Sequence, residues 1–468
     1  MRWPRPGRIR RLVSVLALVL AVWAILCWTF LPYDSPVVLW VYFAVARLLS
    51  LFRTPLSAND WLSIEPRFPV DFDLDVAFIA KTGYGTHGRL LAQLDALDLV
   101  VDGDGETAGN TIVIADFATE LHHNGRRVVV HDVLAPLARD KTLAKEKGYE
   151  RITKYNDMTE AIQAGRNEEA KSATKTFGWE LDALKFIPGM DLAYQRLPDK
   201  KWYIILDDDT YLVQGSLHAM LDRLDPTIPA YLGNAVGDFK GRFAHGGSAV
   251  IISGAAMSLL FDQNRELLPA AYISSLSETW GDRLVATTFQ KIGVYLDERF
   301  NHFFNGERPV ITRIRADRLC SPIISFHGLA RPEQMAEVGS QFRHVRGLVT
   351  WGHLWKLYGR PDISEYITNP IRPNHDHVGR LDEASMDLEH VESAEQCLAQ
   401  CHGHYKTCLA WTWDGRDKMC HISPWIIIGE VSPGPTLGSR PLSSSDHSSL
   451  LRVSSQGNTR PYTIATPP

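Results

Sequence analysis

Asp207-Asp208-Asp209 is the densest concentration of chemistry in the chain, and it follows directly on the apolar run from Lys201 through Leu206. An apolar run of that length bounded by charge reads as a central strand, so three carboxylates emerge at its carboxyl end. In open α/β sheets ligands bind beyond those ends. Carboxylates clustered there hold a divalent cation, and the cation neutralises a diphosphate that bare carboxylates would repel. Aspartates also favour turns and helix N-caps, so the triplet admits a purely structural reading as well.

The elements that must position this triplet are legible as alternating patterns. Asp75 to Ala80 before Lys81-Thr82-Gly83, Thr111 to Ala115 before Asp116, and Arg127 to Val130 before His131-Asp132 repeat the strand signature, with helical stretches such as Leu90 to Leu97 between them. Strands alternating with helices predict a largely parallel α/β sheet. Lys141 to Ala173 is charged and helix-prone, the mark of a solvated helical excursion. Downstream, His245-Gly246-Gly247-Ser248 leads into the apolar Ala249 to Ile252, a helical segment covers Asp282 to Lys291, and Ile323 to Gly328 closes the domain. From Val431 onward, Pro, Ser, Gly and Thr dominate and predict a disordered tail.

The 468 residues allow one large catalytic domain and an accessory unit, and 45% apolar with 22% charged residues fits a globular chain with attachments. A net charge of −5 supplies no drive toward nucleic acid. Leu12 to Phe30 is free of charge for 19 positions and preceded by Arg2, Arg5, Arg8, Arg10 and Arg11. That length spans a bilayer, and the arginines keep the N-terminus cytosolic in a type II topology; a cleaved signal peptide is the alternative, without a small-residue cleavage site to support it. Val37 to Ala46 is too short for a second span and reads as an interfacial or packed stem helix. Of six cysteines, Cys27 lies in the anchor and Cys320 stands alone, while Cys397, Cys401, Cys408 and Cys420 crowd together, the density of disulfides in an oxidising lumen or of a cytosolic metal site.

Lys81-Thr82-Gly83, Gly178-Trp179-Glu180-Leu181-Asp182 with Lys185, and Trp202-Tyr203 before Asp207-Asp208-Asp209-Thr210-Tyr211 form an ordered series. It continues through Gly246-Gly247-Ser248-Ala249, Gly281-Asp282 with Gln290-Lys291-Ile292-Gly293, and Ser325-Phe326-His327. Between roughly Asp75 and Leu329 the series resembles glycosyltransferase family 31, particularly its Fringe and core 1 β-1,3-galactosyltransferase branch. The resemblance implies a GT-A-like, Rossmann-like α/β domain, a UDP-sugar donor, a divalent cation, usually Mn²⁺, and inversion at the anomeric carbon. It implies that Asp207, Asp209 and His327 hold the metal, and that Lys81, Thr82, Gly83, Asp116, Asp207, Asp208, Gly246 and Gly247 line the donor site. Inversion needs a carboxylate to deprotonate the acceptor hydroxyl; Asp282 matches that position, with Glu278 in reserve, although Asp282 also suits an N-cap. By default Lys81 is a surface loop lysine and His327 a packed, hydrogen-bonded histidine. Trp179 and Trp280 suit a sugar pocket or a core equally. The chain departs from the family's usual Gly-Gly-Ala-Gly at Ser248 and Ala249, and has Gly281-Asp282 where an acidic pair commonly stands. A haloacid dehalogenase-type phosphatase also places aspartates at a strand end, as Asp-x-Asp-x-Thr, but here Thr210 falls one position early.

Glu395-Gln396-Cys397 through Cys401, Cys408, Trp411 and Cys420 resembles a PAN/apple module, a small α+β disulfide fold that binds protein or carbohydrate. Four cysteines allow three connectivities; the resemblance implies Cys397 with Cys420 and Cys401 with Cys408. Zinc, with His402, His404 and His421 nearby, is the competing reading. The expected organisation is a cytosolic tail at 1–11, an anchor at 12–30, a stem at 31–70, the transferase domain at 71–360, the module at 380–430 and the tail at 431–468. The expected function is transfer of a galactose- or N-acetylglucosamine-type hexosyl residue to a glycan or glycoprotein in the Golgi or ER lumen. A silent lectin-like scaffold is the alternative. In sealed microsomes everything after the stem is expected to resist protease while the N-terminus is digested; the opposite pattern would reverse the topology.

Overall fold

The computed structural model describes residues 14, 15, 18, 19, 21–23, 25, 26, 28–52, 62–101, 109–238, 241–358, 365, 369–404, 408–429 and 431–439. Helix α1 (Pro36–Leu51) precedes the central sheet, whose heart is β1 (Val76–Lys81), β2 (Thr111–Ala115), β4 (Arg126–Asp132) and β5 (Trp202–Asp207), with β3 (Thr119–His123) beside β4. The strand order is β3-β4-β2-β1-β5-β7-β6, where β6 is Tyr231–Gly233 and β7 is Val250–Ser253. β4, β2, β1 and β5 run parallel; β3, β7 and β6 add antiparallel edges. The fold is therefore a mixed α/β sheet around a parallel heart, less parallel than expected. β1, β2 and β5 are buried on both faces, as their uninterrupted apolar character requires. β3 escaped the sequence reading because Thr119–His123 is half exposed and lacks an apolar face.

Helix α2 (Leu90–Leu97) follows β1, and α3 (Glu150–Gln163) and α4 (Asn167–Arg196) occupy the expected excursion. That stretch is not simply solvated. Ile152, Tyr155, Met158 and Ala161 recur every third residue and are buried, giving a narrow apolar seam in a charged sequence. α4 packs so closely on β2 that a Cβ on Gly189 would stand 2.2 Å from Ile114 Cδ1. α5 (Gly281–Gln290) lies against α4, where a Cβ on Gly281 would reach Ala183 Cα at 2.9 Å. These two close approaches bring Asp182, Lys185 and Asp282 to the same end of the sheet.

The C-terminal module is a five-stranded sheet of β8 (Ile371–His375), β9 (Met386–Leu388), β10 (Ala410–Asp414), β11 (Met419–Ser423) and β12 (Val431–Ser439) in the order β8-β12-β10-β11-β9. Helix α6 (Ala394–Gly403) is tied to it by Cys397–Cys420, and Cys401–Cys408 closes the following loop. With both pairs bonded, the zinc reading falls. Two-residue pairing of Ile314–Arg315 with Trp425–Ile426 joins the module to the main domain.

The tail expectation is corrected at its start, because Val431–Ser439 forms β12 between β8 and β10. Open edges supply backbone partners that override weak strand propensity, and the register shift opposite Pro373 and His375 accommodates Pro433 and Pro435. The module thus begins at Ile371, ahead of the expected boundary, and extends past 430. Residues 1–11, Cys27 and 440–468 lie outside the described residues, as does part of the expected anchor. The described residues between 14 and 30 are helical and exposed, and among the described residues no helix is long and apolar enough to cross a membrane.

Replacing Cys397 and Cys420 together by alanine is expected to lower stability by about 2–4 kcal/mol in chemical denaturation, the usual worth of a native disulfide. Cys320→Ser, at a half-buried free thiol, should shift it far less, and equal effects would remove the staple's role.

Candidate metal and donor site

The Asp207–Asp209 turn is clamped before any ligand arrives. Thr210 N–H donates to the Asp207 carbonyl at 2.9 Å, and Gln93 Nε2 of α2 donates to the Asp207 and Thr210 carbonyls at 2.6 and 2.8 Å. The three carboxylates then separate. Asp208 is buried and accepts from Thr82 Oγ1 and Thr86 Oγ1, each at 2.6 Å, while Arg89 pairs with it at 2.8 Å. Burial pushes Asp208 up to about 6 despite these partners. Its carboxylate fastens the loop after β1, and the residue lines the cleft as well. Asp207 and Asp209 remain partly exposed in the cleft.

His327 reaches them through a short pairing. Ser325–Phe326 lies antiparallel to Tyr211–Leu212, with Phe326 opposite Tyr211, so the next residue arrives beside the aspartate turn. His327 Nε2 stands 3.3 Å from Asp209 Oδ1. Among the described residues, Asp207, Asp209 and His327 form a group whose ligand atoms lie within 4.8 Å of one another. Burial would raise Asp209, but the bond and charge of His327 outweigh it and hold the carboxyl below its ordinary value. Conversely, burial would lower His327, while Asp209 and Asp207 hold it above. Gly247 makes this approach possible, since a Cβ there would stand 2.3 Å from His327 Nε2. Beside it, Ala249 has a φ of 71°, where the family pattern carries glycine. An alanine there costs of order 1–3 kcal/mol. The buried Ser248 hydroxyl is held by Asn234 Nδ2 at 3.1 Å and His245 Nδ1 at 3.0 Å.

Lys81 is not a surface lysine. It ends β1, is 4% exposed, and its ammonium lies 2.6 Å from Asp182 and 2.9 Å from Asp207. Burial alone would lower its pKa, but the two carboxylates hold it well above the ordinary value. Lys185, also buried, pairs with Asp116 at 2.9 Å and donates to the Thr82 carbonyl at 2.8 Å. Asp116 further accepts from Tyr84 N–H at 2.8 Å. Gly83 sits between, where a Cβ would meet Asp116 Oδ2 and Lys185 Nζ at 3.1 Å. Thus Lys81 and Asp116 are engaged inside the protein, and the loop they support, Thr82 to Thr86, lines the cleft.

Asp282 sits in the first turn of α5, whose N-cap is Trp280. Its Oδ2 accepts from Gly246 N–H at 2.8 Å and its Oδ1 from Arg283 N–H at 2.9 Å. Burial, with the charge of Asp207 adding to it, pushes this carboxyl up to about 6. Glu278 is held by Arg283 at 3.3 Å and by Thr279 N–H at 2.9 Å, and neither it nor Asp282 is among the residues lining the cleft. Trp179 and Trp280 are 58% and 55% exposed, so neither is a core residue, and Trp179 lines the cleft. Arg89, Asp182 and His245 were given no role by sequence reasoning. Arg89 looks like an ordinary solvated arginine before an apolar helix, and only the fold brings it to Asp208. His245 stacks edge-on to His327 at 5.4 Å, and burial with the neighbouring His327 lowers its pKa.

The donor set fits a divalent cation on its own chemistry. Asp116, Asp182, Asp207, Asp208 and Asp209 line the cleft against Lys81, Arg89 and Lys185, leaving two negative charges when His327 is neutral. Two carboxylates and an imidazole suit Mn²⁺. A parallel-centred α/β sheet with such a cleft at its carboxyl ends is the arrangement of enzymes that bind nucleotides there. Residues 109–283 match a Fringe-like family model and residues 374–430 a PAN domain model. The chain therefore carries a Fringe-like domain of glycosyltransferase family 31 and a C-terminal PAN domain. Fringe-like family members are glycosyltransferases, which use a nucleotide-sugar donor. No curated protein matches the chain. The Fringe-like match includes the triplet, Gly246-Gly247 and Asp282, but neither Lys81 nor His327.

Gly247→Ala should displace the His327 ring and weaken Mn²⁺ binding about 10–100-fold, the usual effect of disturbing a ligand's support. Mn²⁺ titration followed by electron paramagnetic resonance checks this; unchanged affinity would exclude His327 as a ligand.

Proposed function

We propose that the chain is a metal-dependent, inverting, GT-A-type hexosyltransferase that moves a galactose- or N-acetylglucosamine-type residue from a UDP-sugar to a glycan or glycoprotein, in β-1,3 linkage. The observation that carries the reading is the juxtaposition across Gly246-Gly247. His327 of the metal group abuts one glycine, and the Asp282 carboxylate is bonded to the other. Asp207, Asp209 and His327 hold the cation, which when bound supplies positive charge to the diphosphate leaving group. Lys81 and Asp208 keep the metal-binding carboxylates and the Thr82–Thr86 loop in place around the diphosphate. The cleft, about 220 Å³, is smaller than the ~300–1,000 Å³ of a whole ligand pocket, so the sugar and acceptor extend over its open side toward Trp179, Trp280 and Asp282. Exposed tryptophans there offer apolar faces to sugar rings.

Asp282 takes the acceptor hydroxyl's proton. Its two backbone hydrogen bonds fix the carboxylate plane, and its raised pKa brings its basicity nearer to that of a group working at neutral pH. Because the fold holds this proton more tightly than an open chain does, the base is in its working form only above about 6. The Fringe-like match and the paired disulfides point to the secretory pathway. Within it, we read the arginine-flanked apolar run as a type II anchor in the Golgi or ER membrane, with the Fringe-like and PAN domains in the lumen. The Fringe-like match leaves the phosphatase reading without support.

UDP release from a panel of UDP-sugars, with and without Mn²⁺, tests the activity; no release from any of them would favour the silent scaffold. In the active case kcat/KM should rise with pH through about 6. Asp282→Asn should retain donor and Mn²⁺ binding in calorimetry while transfer falls roughly 10²–10⁴-fold, the worth of a general base. Asp209→Asn should lose donor binding. Normal transfer by Asp282→Asn would move the base assignment to Glu278.

A further inference from the structure

Helix α1 is apolar on two opposite sides, and among the described residues only one is packed against the protein. Val38, Leu39 and Phe43 are buried against Tyr295, with Tyr42 beside them. On the other side Val37, Trp40, Val45, Leu48, Leu51 and Phe52 fall on one face at about 100° per residue and are exposed, Trp40 by 55% and Phe52 by 79%. Between Pro36 and Phe52 the sole charged residue is Arg47. A helix that is apolar all round belongs in apolar surroundings, and a contiguous exposed stripe of this kind marks a contact surface.

The chain itself limits what can cover the stripe. Residues 31–35 alone separate α1 from the uncharged run ending at Phe30, and five residues reach at most about 18 Å. The end of that run also docks on the residue that holds α1: Trp28 lies 6.0 Å from Tyr295, whose hydroxyl donates to the Tyr33 carbonyl at 2.9 Å. With the run in a bilayer, α1 has no room to leave the headgroup region. Its 16 residues fall short of the ~20 needed to cross, so it lies along the surface, where tryptophan such as Trp40 is favoured.

We infer that α1 is a membrane-surface helix whose Val37-Trp40-Leu48-Phe52 stripe inserts among lipid and holds the catalytic body directly against the bilayer, in place of a free stem over residues 31–51. The inference rests on the anchor reading for its geometry, but the test separates the two. In full-length protein carrying Cys27→Ser and Cys320→Ser and reconstituted in phosphatidylcholine nanodiscs, spin labels are attached singly through Trp40→Cys, Leu48→Cys, Val22→Cys and Glu168→Cys. Accessibility to oxygen and to a water-soluble nickel chelate is then measured at each. Positions 40 and 48 should favour oxygen over nickel several-fold relative to exposed position 168, in the direction shown by position 22. Lipid-like values at 22 with water-like values at 40 and 48 overturn the inference and leave the anchor. Lipid-like values at 40 and 48 with water-like values at 22 sustain it and remove the anchor. Exclusion of both probes at 40 and 48, with or without dipolar broadening between labels, overturns it in favour of cover by a second copy or by another protein surface. Water-like values at all three remove both.

Discussion

Mutual repulsion among carboxylates is the constraint around which the Fringe-like domain of this protein is arranged. Asp116, Asp182, Asp207, Asp208 and Asp209 converge where the parallel strands end, and charges at such spacing disfavour one another unless compensated. Lys185 and Lys81 interleave with Asp116, Asp182 and Asp207, and Arg89 serves Asp208. Each pairing has at least one buried partner, which is left uncompensated in the interior if the other is removed. With His327 neutral the compensation stops two charges short, on the side where Asp207, Asp209 and His327 face the cleft. In the proposed function a divalent cation would supply the balance.

Helices and glycines serve that arrangement. α4 carries Asp182 and Lys185 one helical turn apart, and its close contact with β2 and α5 sets their reach. Gly247 removes the one Cβ that would block His327, and Gly246 lends its N–H to orient Asp282. His327 and Asp282 are thus coupled through two adjacent backbone units. Ala249, in a backbone region that glycine adopts freely, is tolerated because Gly233, Ala244 and the buried Ser248 surround the same turn and over-determine it.

The accessory elements follow a different logic. The PAN domain has a small core around Trp411 and Ile422 that its two disulfides reinforce, as expected of a unit too small to be stable on burial alone. Its pairing through Trp425–Ile426 to Ile314–Arg315 joins it to the transferase body rather than leaving it on a tether. α1 makes a comparable attachment at the other end of the chain, through Tyr295.

The apolar strands β1, β2 and β5, the crowded cysteines and the acidic triplet were determined by the sequence itself, because each is local: an apolar run, a spacing, three adjacent charges. Which carboxylate does what was not. Asp207, Asp208 and Asp209 are chemically identical in sequence, and they diverge only because Thr82, Thr86 and Arg89 take one of them while His327 approaches another from 118 positions downstream. Lys81 reads as a loop lysine until β5 places Asp207 opposite it, and Val431–Ser439 reads as disordered until β8 and β10 offer it backbone partners. Local pattern specifies elements through burial and periodicity, whereas charge compensation and edge pairing depend on partners distant in the chain. Those only the tertiary structure brings into contact.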